Sequence, residues 1–183
     1  MRRFTHVAVL GAIAFILMRV AFSLPFLPAF LKYDPSEVPA LIATFAFGPL
    51  AGLSVEMLKA LLVQVLGGPD PSGGVFGVFM NLLAGATLVG VAGWYYLIEH
   101  TKPGAVRALV FGVLAMTGVM IVANILLTPI FFGIPRAQVI ALVLPALLPF
   151  NLVKGGMSAL ITFYLYKRVR GYLYEWVGDR AVW

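Results

Sequence analysis

Long apolar runs, separated by short joints rich in proline, glycine or charge, make up most of the chain. Runs over roughly 4–24, 75–98 and 105–127 each reach the ~20 residues that an α-helix needs to cross the hydrocarbon of a bilayer. Two shorter stretches, 36–48 and 52–66, meet at Gly48-Pro49. They read either as two short spans or as one re-entrant hairpin, and both readings return the chain to the same side. The last apolar region, 137–170, would be about 51 Å long as a single helix, well beyond the bilayer core. Pro145 and Pro149 are therefore predicted to break it, because proline lacks an amide donor and is best tolerated in a helix's first turn. The prediction is a short interfacial helix over 136–144 and a final span over 149–170. The pattern describes an all-α integral membrane protein with a single membrane domain over 1–183, built as a bundle of six transmembrane helices.

Composition agrees: 62% of the 183 residues are hydrophobic, 11% are charged, and the mean hydropathy is +1.01. The absence of cysteine excludes disulfides, thiolate metal sites and cysteine nucleophiles. The two histidines, His6 and His100, lie far apart near span ends, so no metal centre is expected. The formal charge of +6 is a topology signal rather than a nucleic-acid footprint. Arg2 and Arg3 precede the first run, Lys102 and Arg107 flank a middle loop, and Lys167, Arg168, Arg170 and Arg180 follow the last run. The opposite loops hold only Lys32 and Arg136, so both termini are expected in the cytoplasm of a multi-pass plasma-membrane protein. The first run is too long for a signal peptide and leads into Pro25, so it is read as helix 1. No Gly-x-x-x-x-Gly-Lys-Ser/Thr loop is present to bind a nucleotide phosphate.

Polar side chains inside apolar spans are costly, which makes each one a candidate. Asn151 and Lys154 stand three apart on one face of the last helix. Either Lys154 snorkels while Asn151 caps a helix start, or the two converge on a ligand's polar edge. Asn124 and Asn81 are expected at similar depth, toward the outside. Asparagine supplies donors and acceptors and lysine only donors, a set suited to a planar heterocycle bearing carbonyl and N–H groups. With no carboxylate expected at that level, it suits a metal ion poorly. Glu56 and Lys59, also three apart, are read as an intrahelical pair whose role is structural. There is no activated serine, no carboxylate dyad and no membrane histidine, so no catalytic residues are assigned and the chain is not read as an enzyme.

Between helices 1 and 2 lies an unusually apolar loop with Phe26, Phe30 and Tyr33 among several prolines. It is read as an extracellular lid whose rings close over a flat ligand, with an interfacial aromatic belt as the alternative. On helix 1, Ala8 and Ala12 lie one turn apart, a spacing that lets a second helix approach closely, within the same protein or in a partner.

Three segments carry a resemblance to a known family: Leu31-Lys-Tyr-Asp-Pro-Ser-Glu-Val-Pro-Ala-Leu-Ile42 leading into Phe47-Gly-Pro-Leu-Ala-Gly52, then Glu56-Met-Leu-Lys59, and Pro149-Phe-Asn-Leu-Val-Lys-Gly155. Together they resemble the riboflavin-binding S components of energy-coupling factor (ECF) vitamin transporters. The resemblance implies a six-helix capture subunit that takes riboflavin from outside and delivers it inward. A transmembrane coupling subunit and two cytoplasmic ATPases would supply the energy. It also implies flavin contacts at Asn124, Asn151 and Lys154, a lid in the first extracellular loop, and docking of the coupling subunit at Ala8-x-x-x-Ala12. Asn81 joins the set by its depth. Riboflavin is then substrate rather than cofactor, with flavin mononucleotide an alternative ligand, membrane lipid the surroundings and nucleic acid no partner. The competing readings are an S component for another vitamin and a small lipid-modifying membrane enzyme using Glu99, His100 and Glu175.

Overall fold

A computed structural model describes the backbone of residues 2–23, 31–66 and 74–177, and side chains from residue 4 to residue 166 within those ranges. The helices are α1 (Arg2–Arg19), α2 (Glu37–Phe47), α3 (Pro49–Leu66), α4 (Gly74–Ile98), α5 (Lys102–Phe132), α6 (Arg136–Ala141) and α7 (Leu148–Val177). Among the described residues, Pro49–Leu66, Gly74–Ile98, Lys102–Phe132 and Val143–Tyr166 are long and apolar enough to cross a membrane. Phe4–Arg19 and Glu37–Phe47 are apolar but shorter.

The tight turn between α2 and α3 depends on Gly48, whose φ of 95° is readily adopted only by glycine, and on Pro49, which starts the next helix without needing an amide donor. The two helices then run back along each other. A side chain added at Gly52 would strike Thr44, and Lys59 reaches Ser36 across the hairpin. Every residue of α2 except Ala46 is buried, and the helix packs against α1, α3, α4 and α7. A helix apolar all round belongs inside a bundle, and being covered by protein lets so short a helix lie at membrane depth. It descends from the level of Asn81, near the start of α4, to that of Gly93, against which Thr44 and Pro49 pack.

Three differences from the sequence reading have physical causes. Helix 1 ends at Arg19 rather than 24, because the chain becomes extended and Phe22–Ser23 (β1) pairs antiparallel with Lys32–Tyr33 (β2), satisfying backbone groups that the helix would otherwise hold. This two-residue ribbon is the one departure from an all-α fold among the described residues, and strands so short leave no readable alternation. Helix 5 runs past 127 to Phe132 despite Pro129, and stops where Gly133 takes a left-handed conformation and donates to the Pro129 carbonyl. Between α6 and α7 the chain does not break: it widens into one π-helical turn, Val143–Leu147, with the Leu147 amide reaching the Leu142 carbonyl. The turn contains Pro145, and Pro149 falls in the first turn of α7, where a missing donor is tolerated.

The start of α1 lies by the end of α2, with His6 and Phe47 rings 5.5 Å apart. Near residue 166, α7 reaches the same end, where the Tyr166 and Phe45 ring centroids lie 5.9 Å apart. The starts of α4 and α7 and the end of α5 gather at the other end.

Close helix approach gives a direct test. Gly52→Ala should destabilise the bundle by about 1–3 kcal/mol, because its Cβ has no room beside Thr44. Gly118→Ala, in open space, should leave stability unchanged or slightly raised. Thermal unfolding in detergent compares the two.

Candidate functional site

A cavity of about 350 Å³ opens at the end of the bundle where α4, α5, α7 and the chain entering α2 meet. Antiparallel packing explains why residues remote in sequence share it: the first turns of α4 supply Phe76, Met80 and Asn81, the last turns of α5 supply Asn124, Thr128 and Phe132, and α7 supplies Phe150, Asn151 and Lys154. The extension of α5 over 128–132 brings Thr128 and Phe132 to the wall. Likewise the π turn feeds Leu147 into it. At the mouth, the Phe76 ring sits 4.5 Å from that of Phe131 and 5.3 Å from that of Phe132, tying α4 to α5.

All four polar residues expected at one depth, Asn81, Asn124, Asn151 and Lys154, line this cavity. Two expectations about them change. Lys154 does not snorkel: it is 5% exposed, and its Nζ lies 3.2 Å from Asp34 Oδ2 and 2.9 Å from Glu37 Oε1. Asn151 does not cap a helix start; its Nδ2 donates back to the Leu147 carbonyl at 2.7 Å. The expectation that no carboxylate lies at this level is also wrong, since Asp34 is on the cavity wall. No local pattern marked it: α2 starts at Glu37 behind Ser36, and Asp34 accepts from the Ser36 amide in a turn that precedes the helix.

Asp34, directly and through Ser36, joins α2, α3, α4 and α7. Its Oδ2 accepts from Asn81 Nδ2 of α4 at 3.0 Å and from Lys154 of α7, while its Oδ1 accepts from the Ser36 amide at 3.2 Å and from the Ser36 hydroxyl. Ser36 Oγ in turn accepts from Lys59 Nζ of α3 at 3.1 Å, and Lys59 pairs with Glu56 at 2.6 Å, as the spacing predicted. The Glu56 carboxylate packs where a side chain on Gly85 of α4 would otherwise stand. Burial alone would raise the Asp34 pKa, but Lys154 and Lys59, helped by Ser36, outweigh it and hold the carboxyl below its usual range. The ion pair with Lys154 favours its anionic form. Among the described residues no group of three His, Cys, Asp or Glu side chains forms a metal-holding arrangement. Here lysines provide the positive charge.

Of the three rings expected over the ligand, Phe26 and Phe30 lie outside the described residues. Tyr33 is not on the cavity wall: it is 2% exposed, edge-on to Phe22 at 5.4 Å, with its hydroxyl buried toward Ser158 of α7. Strand pairing turns it inward, so its role is to anchor the loop, and the neighbouring Leu31 and Lys32 reach the cavity instead. Ala8 and Ala12 are exposed on α1, whereas Gly11, Ala14 and Met18 face inward. The acid and base of the enzyme alternative lie at the far end of α4. Glu99 pairs there with Arg107 at 3.0 Å, and the His100 ring lies 5.2 Å from that of Tyr96. Eighteen residues separate Glu99 from Asn81, roughly 27 Å of helix. The Glu175 side chain lies outside the described residues.

A helical membrane bundle with a mostly apolar cavity of small-molecule size at one end, carrying a few amide and charged groups, defines a ligand-capturing membrane protein. The chain belongs to the family of ECF transporter substrate-specific components, whose family model matches residues 2–166. It is 34% identical over 178 residues to the riboflavin transporter RibU of Staphylococcus aureus (strain TCH60), covering 94% of this chain and 92% of that protein. It is 31% identical over 179 residues to the riboflavin transporter FmnP of Bacillus subtilis (strain 168), covering 94% of each. A solved structure, described as the S component of a bacterial ECF transporter, superposes with a TM-score of 0.81 at 33% identity, covering 93% of this chain and 96% of that one.

The buried charges set two expectations for stability. Lys154→Met leaves Asp34 and Glu37 without their ammonium and should cost about 3–5 kcal/mol, part of which Asp34→Asn in the same chain restores. Because the folded pKa of Asp34 is depressed, its contribution is fully present above its unfolded value near 3.8 and is lost as pH falls through the folded value. Asp34→Asn should flatten that acid limb in pH-dependent unfolding.

Proposed function

We propose that this protein is the riboflavin-capturing S component of an ECF-type transporter. The observation that carries the reading is the convergence of Asn81, Asn124, Asn151 and Lys154 on one cavity walled by Phe76, Phe132 and Phe150. Aromatic and aliphatic walls suit the isoalloxazine rings, and the few amides suit its imide edge and the ribityl hydroxyls. Relatives named as riboflavin transporters, alike over nearly the full length, support the same ligand. Riboflavin is cargo in this reading, and no resident cofactor is proposed.

The charge pattern supports six spans in the plasma membrane with both termini in the cytoplasm, since Lys102 and Arg107 lie at the end of the bundle away from the cavity. The cavity then faces outward. Of the chain leading into α2, Leu31, Lys32 and Asp34 line the cavity and Tyr33 is buried beside it. With no nucleotide-binding loop in the chain, inward delivery falls to a coupling subunit and two ATPases. Ala8 and Ala12 offer that subunit a flat, small-residue face.

Riboflavin fluorescence quenching by purified protein tests capture. Asn124→Ala and Asn151→Ala should each weaken binding by about 1–3 kcal/mol, roughly ten- to a hundredfold, and unchanged affinity in both would remove the asparagines from the site. Ala8→Trp with Ala12→Trp should leave flavin binding intact and abolish co-purification with the coupling subunit. A double variant that still assembles would assign the face to lipid.

A further inference from the structure

Each asparagine of the cavity donates one of its two N–H bonds to the protein. Asn124 Nδ2 donates to the Met120 carbonyl at 2.8 Å, Asn151 Nδ2 to the Leu147 carbonyl at 2.7 Å, and Asn81 Nδ2 to the Asp34 carboxylate at 3.0 Å. Carbonyl and carboxylate oxygens only accept, so in each case the nitrogen must face the protein and the amide oxygen takes the opposite side. Asn124 Oδ1 already accepts from Thr128 Oγ1 at 3.2 Å. Asn81 Oδ1 differs: on a side chain that lines the cavity, the oxygen itself is closed to water and has no hydrogen-bond partner among the described residues, so a ligand's donor reaches it only as the wall shifts on binding.

For Asn124 and Asn151 the anchor is a backbone carbonyl of the same helix, which any helix supplies. For Asn81 it is a side chain from another segment, itself held by Lys154 and by Ser36. We propose that Asp34 is a positioning residue: by accepting from Asn81 Nδ2, it commits Asn81 to present its carbonyl oxygen to an N–H donor of the ligand, which in a flavin is the imide N–H. This deepens the proposed function and rests on it. An unpartnered buried carbonyl is costly, so a ligand that brings a donor to it gains what one without a donor does not. The isoalloxazine ring system has one N–H. An asparagine at position 34 would offer both a donor and an acceptor, so either orientation of Asn81 would be satisfied and the commitment would be lost.

The test compares riboflavin with 3-methylriboflavin, which lacks the imide hydrogen, by fluorescence quenching on the unaltered protein, Asp34→Asn and Asn81→Leu. The unaltered protein should favour riboflavin by about tenfold or more. Asn81→Leu should retain only the part of that preference due to the bulk of the methyl group, and Asp34→Asn should fall toward the same residual ratio. A ratio, unlike an affinity, is not moved by a general loosening of the fold. Loss of affinity for both ligands with the full preference kept in Asp34→Asn would make Asp34 merely structural and overturn the assignment. So would a full preference in Asn81→Leu. Failure of the unaltered protein to bind riboflavin would overturn the functional reading itself, and this assignment with it.

Discussion

A carboxylate that is 2% exposed inside a helical bundle is tenable only if cations and donors surround it, and meeting that demand organises this molecule around Asp34. Its partners come from α4, α7 and the head of α2, and through Ser36 and Lys59 the contact extends to α3. The acid sits where the loop after α1 becomes α2, so the same contacts that neutralise it also pin one end of that loop to the cavity wall. Between helices in lipid, where apolar burial gives little driving force, polar contacts and close small-residue packing hold the bundle together. Here the polar contacts concentrate at the cavity end, and glycine-mediated approach, as at Gly52 against Thr44, serves the rest.

This placement divides labour among the polar residues. Lys154 looked in the sequence like a ligand-binding ammonium, yet two of its three donors face carboxylates. The asparagines are left as the groups with unspent capacity. A neutral, flat ligand with hydrogen-bonding edges fits such a wall better than an anion attracted by an isolated lysine would. The family assignment agrees with a substrate-binding role for this chain, and the cavity offers a place for it.

Much of the fold was legible because the bilayer makes long apolar runs and their charged flanks informative. The four polar residues of the cavity were also legible, since an amide or ammonium in an apolar helix stands out and antiparallel helices bring equal depths together. Asp34 and Glu37 were not, because acids beside prolines read as ordinary loop polarity, and only the packing of α2 draws them to membrane depth. The inward turn of Tyr33 depends on a two-residue strand pairing that no periodicity reveals. The extension of α5 over 128–132 was hidden by Pro129, which normally signals an end and is here carried within the helix.

The central claim is that asparagine carbonyls read the ligand while Lys154 stays bound to its carboxylates. A high-resolution structure of the riboflavin complex tests it most directly. The account predicts the isoalloxazine between α4, α5 and α7, within hydrogen-bonding distance of Asn81 Oδ1, with the contacts of Lys154 to Asp34 and Glu37 intact. A flavin seated elsewhere, or Lys154 withdrawn from both acids to bind it, would contradict the account.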